Sequence, residues 1–159
     1  MILVLLGTQN NDFSRLLFEI DNCIVSGAIK DSVVVQAGHS SYNSSNMEIF
    51  DFIEKDKMDD LIFKSDLIIT HGGVGSIMKC IKLGKKVIAV PRLKKYGEHV
   101  NDHQIQIVEN FSNKGYIKAV FEIENLETTI KNIDTFIPAP FNNDTSKIIE
   151  LISNYIDNN

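Results

Sequence analysis

Asp66-Leu67-Ile68-Ile69-Thr70-His71-Gly72-Gly73-Val74-Gly75-Ser76 is the stretch that decides the fold. Its first five residues form an apolar run with little alternation, which reads as a strand buried on both faces. Three glycines follow within five residues, and from Ser76 to Leu83 apolar residues return at helical spacing until Gly84 ends the helix. A buried strand that turns through glycine into a helix is the opening of a parallel βα unit. Backbone N–H groups at such a turn can approach an anion closely, and the helix start adds roughly half a positive charge. The turn therefore suits a phosphate; its other reading is a plain tight turn. The flanking His71 and Ser76, taken with a second loop downstream, favour phosphate.

That second loop follows the next strand, Val87 to Val90, which Pro91 stops. After Arg92 comes Gly97-Glu98-His99-Val100-Asn101-Asp102-His103-Gln104, with Asn101 or Asp102 placed to cap a helix that runs to about Phe111 and closes at Gly115. Upstream, Ile2 to Leu6 is a strand ended by Gly7-Thr8, and Phe13, Leu16, Leu17, Ile20 and Ile24 mark a helix from Asp12 onward. Ser32 to Ala37 is a valine-rich strand, followed by a polar loop, Gly38 to Asn46, long enough to carry function. Met47 to Ile53 reads as a short third strand and Met58 to Lys64 as a short helix. Tyr116 to Lys118 reads as a last strand, Glu124 to Asn132 as a helix, and Thr145 to Tyr155 as an amphipathic terminal helix after Pro138-Ala139-Pro140.

Strands alternate with helices throughout, with no internal repeat and no linker. The expectation is one α/β domain over residues 1–159, a Rossmann-like doubly wound parallel sheet. Ligands in such sheets bind at the carboxyl ends of the strands, where the loops at Gly7, Gly38, His71 and Pro91 gather. A length of 159 residues suits a single domain with a real core. Net charge of −5 argues against nucleic acid, whose binding needs many cationic contacts with phosphates. Lys85-Lys86 and Lys94-Lys95 can attract a small anion or serve as solvated surface. Cys23 and Cys80 have no metal or redox spacing and read as small buried hydrophobes in a reducing compartment, the cytoplasm by default. The apolar start lacks the basic flank and length of a signal or membrane segment.

Each candidate site residue has two readings. The amides of Gly72, Gly73, Val74 and Gly75 with the Ser76 hydroxyl can hold a diphosphate, while His71 can donate to a phosphate oxygen or cap the sheet. Gly7 and Thr8 can approach a diphosphate or form an ordinary turn. Arg92 can fork onto phosphate, or sit in a salt bridge. Glu98 and His99 are candidates for an acid/base pair, and before that for ligand or interface contacts. Asp59-Asp60 resembles a metal-binding pair but reads better as acidic residues complementing a helix dipole, so no metal is expected.

The set Gly7-Thr8-Gln9, His71 to Ser76, Val90-Pro91-Arg92, Gly97-Glu98-His99 and Asn101-Asp102-His103-Gln104 closely resembles the PssE-type subunit of bacterial two-component polysaccharide glycosyltransferases, over almost the whole chain. It is similar, more distantly, to the cytosolic half of the split N-acetylglucosaminyltransferase of the dolichol pathway and to the C-terminal domain of MurG. The resemblance implies the donor-binding half of a GT-B glycosyltransferase. It would be an inverting enzyme transferring a hexose, galactose as first guess and β-1,4, from a UDP-sugar to an undecaprenyl-diphosphate-linked saccharide for capsule or exopolysaccharide. It further implies that His103 and Gln104 meet the donor sugar and that no cofactor is needed. The acceptor-side base would come from a membrane-associated PssD-type partner that recruits this subunit to the inner face of the plasma membrane, a homo-oligomer being the other way to complete the cleft. One departure stands out: relatives carry a ribose-gripping glutamate three residues after the loop hydroxyl, where this chain has Lys79, so ribose contact must differ or come from a residue such as Glu98. The reading from another class is a noncatalytic nucleotide-sugar-binding regulatory module, and a third is a fragment of a UDP-sugar epimerase.

Overall fold

In the computed structural model, which describes residues 1–141, six strands form one sheet: β1 (Ile2–Leu5), β2 (Val33–Gln36), β3 (Glu48–Phe50), β4 (Leu67–His71), β5 (Lys86–Val90) and β6 (Lys118–Ala119). The spatial order is β3-β2-β1-β4-β5-β6 and every neighbouring pair is parallel. Four helices lie between strands, α1 (Ser14–Val25), α2 (Lys55–Lys64), α3 (Val74–Lys82) and α4 (His103–Asn113), and a fifth, α5 (Leu126–Lys131), follows β6. This is the Rossmann-like doubly wound arrangement that the alternation predicts.

Period-two alternation along each strand feeds two cores rather than one core and a wet face. Ile2, Val4, Leu6, Val33, Val35, Ile69, Ile88 and Val90 point to the side that packs α1 and α5. Leu3, Leu5, Val34, Ile68, Val87 and Ala89 point to the side that packs α3 and α4. Cys23 and Cys80 are free and buried, one in each core.

The order places the reversal of winding between β1 and β4. Leu5 is level with both Gln36 of β2 and Thr70 of β4. The loops leaving β1 and β4 consequently emerge side by side, one strand spacing apart, where the sheet opens a crevice.

Several boundaries differ from those predicted. Helix α3 begins at Val74, two residues before Ser76, so the glycine loop is partly the helix's own first turn. Helix α2 begins at Lys55, three residues before Met58, which moves Asp59 and Asp60 out of its first turn, where they would complement the dipole; Asp60 pairs with Lys64 and Asp59 with Lys79 of α3. The last strand slides to Lys118–Ala119, because the Tyr116 N–H still closes the end of α4 on the Phe111 carbonyl at 3.1 Å; its ring packs edge-on against Phe141 at 5.2 Å. The polar loop after β2 is stitched onto α1. Ser40 Oγ accepts from the Phe13 N–H, and Asp21 accepts from Tyr42, Ser44 and Asn46, contacts that hold the Asp21 carboxyl below its usual range, Asn46 foremost. Lys85 donates to the Phe63 and Ser65 carbonyls and Lys86 to those of Ile133 and Asp134, so this pair fastens the amino edge, away from the crevice. The terminal helix expected over Thr145–Tyr155 lies outside the described residues.

Candidate functional site

His71, the last residue of β4, is 7% exposed, and its ring occupies the crevice between two glycines. A Cβ on Gly7 would lie 2.6 Å from the ring's Cε1, and one on Gly73 only 2.2 Å from Nε2. A Cβ on Gly72 would lie 2.6 Å from the Gln104 Cβ. These three glycines are thus required by close packing of side chains as well as suited to an anion. Gly75 differs, since nothing lies within 4 Å of where its Cβ would be, and the space beside the helix start is open.

The Leu5 carbonyl lies 3.2 Å from His71 Nδ1, which assigns the ring proton there and leaves Nε2 as an acceptor. Burial pushes the imidazole down to about 4, against the opposing pull of the Leu5 hydrogen bond. The ring is therefore neutral at pH 7 and caps the sheet, with its N–H already committed. An unfolded histidine takes up its proton near 6.5. This stabilising contribution is complete above that value and is lost as pH falls toward 4, a total of about 3 kcal/mol. The urea midpoint of the wild type should fall across that window more steeply than that of His71→Asn, whose amide keeps a donor for Leu5 but does not titrate.

Helix α3 starts with Gly73 as its N-cap; no side chain caps it and no acidic residue stands in its first turn. The amides of Val74, Gly75 and Ser76 are the orphan donors of this terminus, and the partly exposed Ser76 hydroxyl sits on the same turn. Lys79, one turn on, is engaged by Asp59. This is an uncompensated positive helix end at the switch point of the sheet.

The second loop is largely scaffold. Gln104 is buried, and its Oε1 accepts from both the Gly72 and the Arg92 backbone N–H, each at 3.0 Å, which ties the loops after β4 and β5 together. Gln104→Leu orphans two buried donors and should cost about 2–4 kcal/mol, read as a lowered urea midpoint at unchanged slope.

Arg92 is fully buried, correcting the expectation that it forks onto phosphate. Its guanidinium donates to the carbonyls of Leu6 (2.8 Å), Asn11 (2.7 Å), Asp12 (3.4 Å) and Glu98 (3.3 Å) and lies over the Phe13 ring. Glu98 is likewise interior. It accepts a fork from Arg15 at 2.6 and 2.9 Å and the Leu93 N–H at 2.9 Å, so it neither pairs with His99 as acid and base nor faces a ribose. His99 Nδ1 accepts from the Asn101 N–H and its Nε2 meets the Gln9 amide at 3.0 Å. Asp102 holds the cap position of α4, but its carboxylate accepts from Lys94 N–H; it is Asn101 that accepts from the N–H of His103, the first residue of the helix.

The structure brings together Gly7, His71, Gly72, Gly73, Val74, Gly75, Ser76 and Gln104, with Thr8 exposed on the adjoining loop. It withdraws Arg92 and Glu98 into the frame beneath. Sequence reasoning missed Arg15, whose signal was a charge set among the core positions Phe13, Leu16 and Leu17. His39 and Phe52 stack edge-on at 5.3 Å beyond β2 and β3, with Phe52 54% exposed.

A family model described as "Glycosyltransferase family 28 C-terminal domain" matches residues 1–156. Among characterised proteins, the UDP-N-acetylglucosamine transferase subunit ALG13 of Candida albicans is 30% identical over 108 residues, 68% of this chain and 35% of that protein. The chain thus spans about a third of that relative's length. Among solved structures, the solution structure of ALG13 superposes with a TM-score of 0.60 at 19% identity, covering 95% of this chain and 93% of that one. MurG of Acinetobacter baumannii gives 0.52 at 18% identity, covering 96% of this chain and 49% of that one. At these identities the likeness is one of fold.

Proposed function

The chain belongs to the glycosyltransferase family 28 C-terminal domains, and from that premise we propose that it is the donor-binding subunit of a UDP-sugar-dependent glycosyltransferase that acts on a lipid-linked saccharide. The observation that carries this reading is the uncapped start of α3 at the switch point, with three orphan amides and the Ser76 hydroxyl on one turn and open space beside Gly75. A diphosphate seated there has its charge met by fixed dipoles that need no reorganisation during reaction. The chemistry is direct displacement: an acceptor hydroxyl oxygen bonds to the anomeric carbon as the bond to the β-phosphate oxygen breaks. UDP departs with that electron pair, and the acceptor proton passes to a base. By the resemblance to PssE-type subunits, that base comes from a second subunit, of the membrane-associated PssD type; of this chain's two candidates, Glu98 and His99, Glu98 is committed to Arg15. Neither cofactor nor metal is called on, because the amides and the helix dipole can stabilise the leaving group.

Gln104 supports the donor side in a specific way. With Oε1 used twice, the amide presents its NH2 group as a donor, and His103 stands beside it at the start of α4. The donor is a hexose, galactose by the resemblance to PssE-type subunits, delivered β-1,4 to an undecaprenyl-diphosphate-linked saccharide in capsule or exopolysaccharide synthesis. No helix among the described residues is long and apolar enough to cross a membrane. By the resemblance to PssE-type subunits, the partner recruits this subunit to the inner face of the plasma membrane.

The test is transfer of radiolabel from a panel of UDP-hexoses to lipid-linked acceptor in membranes that contain the partner. One donor should serve, and Ser76→Ala should lower transfer about tenfold by removing one donor to the diphosphate. Donor binding without transfer from any sugar would replace this reading with that of a noncatalytic nucleotide-sugar-binding module.

A further inference from the structure

Ser76 and Lys79 stand one turn apart on α3 and so share a face of it. Lys79 pairs with Asp59 of α2, which shows that this face turns toward α2. Both helices leave the carboxyl edge of the sheet and run back along it, α2 from Lys55 and α3 from Val74. With about 1.5 Å of rise per residue, Asp59 and Lys79 lie at one depth, roughly 6–8 Å from that edge. A helical side chain points back toward its own N-terminus, so Lys79 covers the turn that carries the Ser76 hydroxyl. The carboxylate of Asp59 is held unevenly. Its Oδ1 is enclosed against Lys79, yet the side chain as a whole is 47% exposed, so the outward oxygen is Oδ2. Asp60 beside it is answered within its own helix by Lys64.

We propose that Asp59, positioned by Lys79, grips the ribose of the bound nucleotide, its Oδ2 accepting a hydrogen bond from a hydroxyl of the cis-diol. This rests on the diphosphate site proposed at the start of α3 and carries it one sugar further. With the diphosphate on the amides of Val74, Gly75 and Ser76, a nucleoside that follows along the Ser76 face enters the groove between α3 and α2, where the pair stands. A carboxylate suits a ribose hydroxyl because the bond is charge-assisted. Standing alone, it would repel the diphosphate. The Lys79 ammonium cancels that charge and leaves the outward oxygen its lone pairs. An exposed ion pair of this kind adds little to stability, so folding alone does not call for it.

Calorimetric titration of the whole chain with UDP, 2′-deoxy-UDP and 3′-deoxy-UDP reads this contact. The wild type should bind at least one of the deoxy compounds about tenfold more weakly than UDP, the worth of one charge-assisted hydrogen bond. Asp59→Ala should weaken UDP by the same factor and bind all three compounds alike. Lys79→Met should narrow the preference for UDP, because the carboxylate is then neither held nor compensated, whereas Asp60→Ala should keep it. A merely structural pair would change stability and leave the ratio between the ligands as it was. The proposal is overturned if the wild type binds the three alike or if Asp59→Ala retains the wild-type ratio. It is overturned equally if Asp59→Ala binds UDP more tightly, which would make Lys79 a phosphate ligand that Asp59 holds back. The amide resonances of Val74, Gly75 and Ser76 report on the diphosphate separately. If UDP moves them while Asp59→Ala leaves the ratio intact, the ribose contact alone fails; if UDP leaves them still, the diphosphate site fails and the ribose contact with it.

Discussion

Arg92→Ala lowers stability by about 4 kcal/mol, near the limit of what one substitution does. The guanidinium is fully buried and serves the carbonyls of Leu6, Asn11, Asp12 and Glu98. Removing it orphans these acceptors, each buried one at about 1–3 kcal/mol, and opens a cavity over Phe13. Burial alone lowers the guanidinium's pKa, and the carboxylates of Glu98 and Asp12 push back. Against a typical domain stability of about 5–15 kcal/mol, the variant should populate unfolded chain measurably at room temperature. Arg92→Lys keeps the charge but cannot span four carbonyls with one ammonium, so about half the loss should remain. Urea unfolding followed by far-UV circular dichroism decides it. A loss below about 1 kcal/mol for Arg92→Ala would mean that the guanidinium is not the strut described here.

Gly7→Ala is the second severe change, about 3–4 kcal/mol, because two costs coincide. Gly7 has φ 77°, in the left-handed region, and its added Cβ would meet the His71 ring at 2.6 Å. The ring has nowhere to go, since Gly73 bounds it too and Leu5 holds Nδ1. Removing the ring separates the costs. In a Gly7→Ala/His71→Ala double variant only the backbone strain persists, and the cycle should return a coupling of about 1–2 kcal/mol. Additive losses would show that ring and glycine do not press on each other.

The alternation that built the sheet was legible because each strand is a short apolar run bounded by glycine, proline or a polar turn. The buried run Leu67 to Thr70 and the glycines after it sufficed to place the crevice, since a parallel sheet reverses its winding somewhere and glycine marked where. Boundaries were harder. Val74 and Gly75 have low helix propensity, yet tertiary packing of Ile77, Met78 and Ile81 carries the helix back through them. In the second loop the orientation of the side chains was not legible. A buried arginine and glutamate have the same letters as exposed ones, and only the partners, Arg15 on α1 and the carbonyls of residues 6 to 12, turn them inward. Lys79 gained its explanation in the same way, through Asp59 on a neighbouring helix.

The proposed function seats a nucleoside diphosphate at the start of α3. Backbone-amide NMR of the chain during titration with UDP tests it most directly, with uridine as the reference compound. UDP should move the resonances of Val74, Gly75 and Ser76 most, and uridine, which lacks the diphosphate, should leave them nearly still. If those three amides stay in place while UDP binds elsewhere, or if uridine moves them as far as UDP does, the helix start is not the diphosphate site.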